Sequence, residues 1–183
     1  MNIVNKDQAV TKLQNNELVC CMTDTVYGIQ GLCNDIVFNK IIKLKKKKIE
    51  DGLIVIANHM HQVAHMIKWS HITNKDLERM MSYHCIATTY LLPAQPNISF
   101  SSEEEVAIRL IQDSGLLITQ IIQDLGQPLL STSCNTRGKD TAATLSEAVE
   151  YFDSKVYYVR SDSASSNTRP SLIVNLLRAN KVR

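Results

Sequence analysis

Four places in this sequence combine cationic or hydroxyl side chains at spacings that can converge on one bound anion. Lys45 and Lys47 lie two apart near the end of a predicted helix. In an extended chain they point to one side and offer two ammonium groups to oxyanions. Ser131, Ser133 and Asn135 alternate, so an extended segment turns two hydroxyls and an amide toward one ligand. Arg109 sits alone in the apolar run Val106 to Ile111, where a charge must be paired or must reach a ligand. Thr23, Thr25 and Tyr27 share one side of the stretch after an apolar run. Each pattern has a structural alternative. The lysines suit a solvated helix end, Ser131 to Asn135 a strand-end turn, and Arg109 a salt bridge. Thr23 to Tyr27 suit a cap followed by a core tyrosine.

Other signals carry less. His59, His61 and His65 resemble a zinc set, but no Glu follows His61 to complete H-E-x-x-H. Glu103 to Glu105 reads as a solvated loop. Gly138 to Asp140 lacks the phosphate-loop pattern. Cys134 has no Cys/His motif around it and reads as packing. Arg169 closes a polar loop from Ser161 that is rich in Ser and Asp, and its alternative is an ordinary exposed arginine.

The elements that must position these residues alternate between helical and strand patterns. Helices are predicted over Asp7 to Gln14, Asp35 to Lys45, Met60 to Ile67, Asn74 to Met81, Gly115 to Leu125 and Ser146 to Phe152. Strands are predicted over Leu18 to Met22, Leu53 to Ala57, Thr88 to Leu92, Val106 to Ile111, Val156 to Val159 and Leu172 to Asn175. This is an α/β pattern without a linker or repeat. Polar residues collect after strands, where ligands of α/β sheets bind.

The chain of 183 residues suffices for one domain with a real core. A formal net charge of +2 is too weak to argue for nucleic acid by itself. No apolar run approaches bilayer length, and Met1 to Asp7 does not read as a signal peptide. Five cysteines without a C-x-x-C pair fit reduced thiols in a cytoplasmic protein.

Five ordered segments resemble the motifs of the YrdC/TsaC family: Met22-Thr23-Asp24-Thr25-Val26-Tyr27-Gly28; Lys45 to Lys48 followed by Gly52 to Ile56; Val106-Ala107-Ile108-Arg109; Ser131-Thr132-Ser133-Cys134-Asn135 with Gly138; and Arg169-Pro170-Ser171-Leu172-Ile173-Val174-Asn175. Several positions depart from the family pattern. Met22 replaces a proline, Lys47 an arginine, Lys48 a proline, Arg137 a serine and Asn175 an aspartate. His84 to Thr89 keeps little of a Trp-Pro-Gly-Pro-x-Thr segment.

The resemblance implies one YrdC-like domain over 1–183, α/β (α+β in some schemes), with a twisted mixed sheet, flanking helices and a ligand cleft. It implies synthesis of threonylcarbamoyl-AMP and pyrophosphate from L-threonine, bicarbonate or CO2, and ATP. The product would serve N6-threonylcarbamoyladenosine formation in tRNAs reading ANN codons, through a separate transferase complex of the TsaD/TsaB/TsaE type. Lys45, Lys47 and Arg109 are then the catalytic cations. Thr23, Thr25, Tyr27, Arg109 and Ser131 hold threonine and bicarbonate, and Asp24 orients its neighbours. Lys45, Lys47, Ser133, Asn135 and Arg169 hold ATP. Mg2+ is expected with the triphosphate, with no protein ligands assigned. Two alternatives stay open: an RNA-binding module of the same fold, and a diverged ATP- or threonine-binding relative with little activity.

Overall fold

The computed structural model describes residues 2–48, 50, 52–82, 86–102, 104–160, 169–176 and 180–181. Five helices flank a ten-stranded mixed sheet in these residues. The strands are β1 (Ile3–Val4), β2 (Val19–Met22), β3 (Tyr27–Leu32), β4 (Ile54–Ala57), β5 (Thr88–Pro93), β6 (Glu105–Leu110), β7 (Leu129–Ser133), β8 (Tyr157–Val159), β9 (Leu172–Asn175) and β10 (Asn180–Lys181). The helices are α1 (Lys6–Gln14), α2 (Asp35–Lys45), α3 (Asn74–Ser82), α4 (Leu117–Leu125) and α5 (Leu145–Phe152). The sheet order is β1-β8-β2-β3-β7-β4-β6-β5-β9-β10.

Period-2 alternation divides the sheet between two cores. Cys20 on β2, Val55 on β4, Ile108 on β6 and Leu130 on β7 pack with Val37, Phe38 and Ile41 of α2 and Ala148 and Phe152 of α5. Their chain neighbours Cys21, Ile56 and Leu129 turn to the other face and pack with Ala9 and Leu13 of α1 and Ile118, Ile121 and Ile122 of α4. Helices α1 and α4 meet this second face at β2. Farther along, the same face lines a cleft.

The helix ends carry ordinary stop and start chemistry. Asn34 caps α2 by accepting from Val37 N at 3.0 Å. Gly126, at φ 67, ends α4 in the left-handed region with its N–H on Ile122 O and Gln123 O. Helix α2 ends on Lys46, a non-glycine residue at φ 50. This left-handed residue turns the chain between Lys45 and Lys47, so the two lysines do not point to one side as an extended chain would have them.

The segment Met60 to Ile67 is not one helix. It forms two short 3-10 turns, Met60–Gln62 and Ala64–Met66, that press Val63 and Met66 into the core. Gln62 caps the start, its Oε1 accepting from Asn58 N and His59 N. The His59 and His61 rings stack, centroids 5.5 Å apart. No group of three metal-binding side chains occurs among the described residues. No helix among them is long and apolar enough to cross a membrane. Strand β3, which begins at Tyr27, is a finding of the structure; its Gly28, Gln30 and Gly31 break the apolar β-branched signal.

Gly31 sets how closely α2 approaches the sheet. A Cβ there would lie 2.3 Å from Val37 Cγ1 and 3.2 Å from Leu18 Cδ2. Both neighbours are buried, so neither can yield freely. Gly31→Ala is expected to destabilise the fold by about 1–3 kcal/mol, read as a lower urea midpoint with an unchanged slope. An unchanged midpoint would mean that α2 shifts at no cost.

Candidate active site

The cleft floor is built from cross-strand neighbours. Gly28 pairs with Ser133, Ile54 with both Ser131 and Ala107, Ile56 with Arg109, and Leu91 with Ala107. Directly opposed residues share a face, so β3, β7, β4, β6 and β5 present one continuous surface. Two connected cavities lie on it. The wider, of about 340 Å³, is lined by Lys47, Gly52, Leu91, Ser102, Glu105, Ser133 and Ile173 among others. The narrower, of about 50 Å³, is lined by Thr23, Gly28, Arg109, Pro170 and Ser171 among others. Ile54, Ser131, Thr132 and Ser133 belong to both.

Arg109 reaches the narrow end from β6. Its Nη2 donates to the Asp24 carboxylate and, at 3.1 Å, to Thr25 Oγ1. The arginine and aspartate side chains are 6% and 23% exposed. Arg109 Nε is buried and has no hydrogen-bond partner among the described residues. The guanidinium is therefore paired with Asp24 while Arg109 also lines the narrow cavity. Thr23 caps the turn that delivers Asp24: its hydroxyl donates to Val26 O at 2.8 Å, and the Thr23 and Thr25 hydroxyls lie 3.2 Å apart. Ser171 enters the same end, its hydroxyl 2.8 Å from Thr89 Oγ1 on β5.

Lys45 and Lys47 have separate positions. Lys47 lines the wide cavity, and its Nζ donates to Gly52 O at 3.1 Å. Lys45 lines neither cleft cavity. Its ammonium donates to Ser133 O at 2.6 Å, to Asn135 Oδ1 at 2.7 Å and to Asn135 O. Burial pushes its pKa down to about 8, and the nearby charge of Lys47 adds to that. Asn135 is equally committed. Its Oδ1 also accepts from Ser133 Oγ at 2.8 Å, and its Nδ2 donates to Lys139 O at 2.7 Å. Lys45 and Asn135 thus form a frame around Ser133.

Tyr27 does not share the cleft with Thr23. It belongs to the core on the opposite sheet face, 5% exposed, because it precedes Gly28 by one residue and strand alternation turns it away. Thr25 is buried behind Arg109 rather than on the cavity wall. Arg169 is exposed, just before Pro170 and Ser171. The loop over 161–168 lies outside the described residues, as do His84, Cys85 and Glu103.

Glu105 is not in a solvated loop. It begins β6 and lines the wide cavity. Ser102, Ser171 and Ile173 are further lining residues that the motif reading left without a role. Counting back from Arg109 in steps of two reaches Ala107 and Glu105, so Glu105 had a signal. The described cysteines are free thiols. Cys20 and Cys134 sulfurs lie 3.5 Å apart in the core, and burial pushes the Cys21 and Cys33 thiols up to about 12. None lines the cleft.

The family model Sua5_yciO_yrdC, described as Telomere recombination, matches residues 11–183. The chain belongs to the Sua5/YciO/YrdC family. Among members of this family, the threonylcarbamoyl-AMP synthase of Acinetobacter baumannii is 30% identical over 182 residues, covering 96% of each chain. The threonylcarbamoyl-AMP synthase of Buchnera aphidicola is 26% identical over 189 residues, covering 100% of this chain and 99% of that one. The P. abyssi Sua5 structure complexed with L-threonine superposes with a TM-score of 0.82 at 17% identity. It covers 96% of this chain, which spans only 54% of the P. abyssi chain. The E. coli YciO structure superposes with a TM-score of 0.78 at 14% identity, over 93% of this chain and 82% of that one. The Sua5/YciO/YrdC fold, a twisted mixed sheet flanked by helices, is the fold of this chain.

Proposed function

We infer that this chain is an L-threonylcarbamoyladenylate synthase, a nucleotidyltransferase of tRNA modification. Full-length similarity to relatives named for that activity supports the reading. The observation that carries it is the two-part cleft, a small end lined by the Arg109 guanidinium beside a larger end lined by Lys47, with Ile54, Ser131, Thr132 and Ser133 common to both. A small amino acid and a nucleoside triphosphate are substrates of those proportions.

The chemistry joins three anions or anion precursors. The threonine amine attacks the carbon of CO2 and loses a proton, giving a carbamate. A carbamate oxygen then attacks the α-phosphorus of ATP. The bond from that phosphorus to the bridging α–β oxygen breaks, and pyrophosphate leaves with the electron pair. Arg109, held by Asp24, neutralises the threonine carboxylate or the carbamate at the narrow end, where Thr23 and Ser131 offer oxygens and a hydroxyl donor. Ser133 lies where the cavities meet and faces the phosphates with Lys47. Lys45 and Asn135 keep Ser133 in place, so their contribution is positioning. Arg169 approaches the nucleotide from the segment that carries Ser171. Mg2+ bound to the triphosphate would offset part of its negative charge, and no residue of this chain is assigned as its ligand. The product passes to a separate transferase that acts on tRNA.

The test is pyrophosphate release by purified protein with MgATP and bicarbonate, with and without L-threonine. Release that needs both threonine and bicarbonate supports the synthase. Absence of release with ATP or threonine still bound by calorimetry would mean a relative that has lost turnover. Lys47→Arg supplies a bidentate fork at the wide end and is expected to lower the KM for ATP, with kcat unchanged within about 3-fold. A higher KM would show that the ammonium on Gly52 O is the better arrangement.

A further inference from the structure

Glu105 puts an acceptor-only group on the wall of the wide cavity, where the other polar lining residues, Lys47, Ser102, Ser131, Thr132 and Ser133, all carry side chains able to donate. It shares the cleft face with Ala107 and Arg109 by strand alternation. Asn175, at the end of β9 and 3% exposed, donates its Nδ2 to Glu105 Oε1 at 2.7 Å. No other described side chain donates to this carboxylate, so Oε2 keeps its lone pairs for a ligand.

The surroundings narrow what that ligand is. A carboxylate repels phosphate, so the part of a nucleotide beside it must be uncharged and must donate. A ribose offers two adjacent O–H donors, and a carboxylate has two oxygens to receive them. Leu91, Ala107 and Ile173 line the same cavity and give the sugar and base an apolar wall. Asn175 also stands where the family motif carries Asp. An aspartate there would set two carboxylates at hydrogen-bond distance and push one toward protonation. The neutral amide instead donates to Glu105 Oε1 and holds it in place.

We propose that Glu105 is the ribose-reading residue of this cavity, its carboxylate accepting from the 2′- and 3′-hydroxyls of the nucleoside triphosphate while Asn175 positions it. The proposal rests on the reading that the wide cavity takes ATP. The experiment compares ATP, 2′-deoxy-ATP and 3′-deoxy-ATP, by calorimetric binding and by threonine-dependent pyrophosphate release. It uses the wild-type chain, Glu105→Gln and Glu105→Ala, with thermal melts to confirm that each variant folds. The wild-type chain is expected to prefer ATP over either deoxy analogue by about 10- to 100-fold in kcat/KM. Glu105→Ala should lose that preference to within about 3-fold, through a raised KM for ATP and little change for the analogues, with Glu105→Gln between. Equal losses on all three nucleotides would reduce Glu105 to a structural role and overturn the proposal. So would a raised KM for threonine or Mg2+ in place of the nucleotide effect. A wild-type chain that releases pyrophosphate from ATP and the deoxy analogues alike would overturn the ribose assignment alone. A wild-type chain that binds none of the three would overturn the synthase reading and this assignment with it.

Discussion

Arg109→Ala is expected to lower kcat/KM for threonine by about 100- to 1,000-fold, the usual cost of losing a preorganised donor to a developing or bound oxyanion. The expectation follows from where the guanidinium sits. It is the cationic group of the narrow cavity, its Nη2 is committed to Asp24 and Thr25, and its buried Nε has no partner among the described residues. Asp24 therefore aims the fork without using all of it. Truncation also takes the guanidinium away from the Asp24 carboxylate and leaves a buried hole beside it. Breaking a buried pair from one side costs about 3–5 kcal/mol, and the partial exposure of Asp24 puts this case at the lower end. Arg109→Lys should not rescue activity, because a point charge cannot hold Asp24 and Thr25 while turning another donor to the cavity. The measurement is steady-state pyrophosphate release at varied threonine, beside a urea denaturation curve. A variant that folds less well yet keeps its KM for threonine would reduce the pair to a structural tie.

Lys45→Met should be nearly as damaging by a different route. Three oxygens, Ser133 O, Asn135 O and Asn135 Oδ1, lose one ammonium donor together. Ser133 O keeps Asn135 N and Asn135 Oδ1 keeps Ser133 Oγ, so the loss falls hardest on the half-buried Asn135 O. An unmatched acceptor costs about 1–3 kcal/mol, and releasing Ser133 by an ångström can cost about 100-fold in rate. The pH dependence gives a second readout with opposed signs. Folding lowers the Lys45 pKa from 10.5 to about 8. Between those values the unfolded chain binds the extra proton, so this residue's contribution to stability rises with pH across that window. Activity should move the other way. Above about 8 the amine has one donor fewer than its three acceptors require, and the Ser133 frame loosens. Wild-type kcat/KM should therefore fall as pH rises through about 8, and that limb should vanish in Lys45→Met, on its much lower baseline. A limb that persists in the variant would assign the titration to another group.

The helix α2 and the strand β9 lie at the residues the spacing predicts, Asp35–Lys45 and Leu172–Asn175. Their signals are local: an Asn34 cap with apolar residues at helical spacing, and a short β-branched run. Met60 to Ile67 carried the same apolar spacing, yet packing Val63 and Met66 into the core required 3-10 turns. Strand β3 was hidden because its pairing with β2 and β7, not its composition, makes it a strand.

The site shows the same division. Residue type and alternation identified Arg109, Ser131 and Ser133 as cleft residues, since period 2 keeps one face of an extended chain together whatever lies beside it. Tyr27 failed that argument, because the turn after Thr23 shifts the phase before β3 begins. Lys45 and Lys47 failed it because one left-handed residue, Lys46, redirects the chain between them. The Arg109–Asp24 pair, the Glu105–Asn175 contact and the joining of two cavities bring together residues 85, 70 or more positions apart. The sequence by itself determined which side chains carry charge and which faces they share within a strand. The tertiary structure decided which of them meet, because strand order and register are set by burying two cores, and no local spacing encodes that choice.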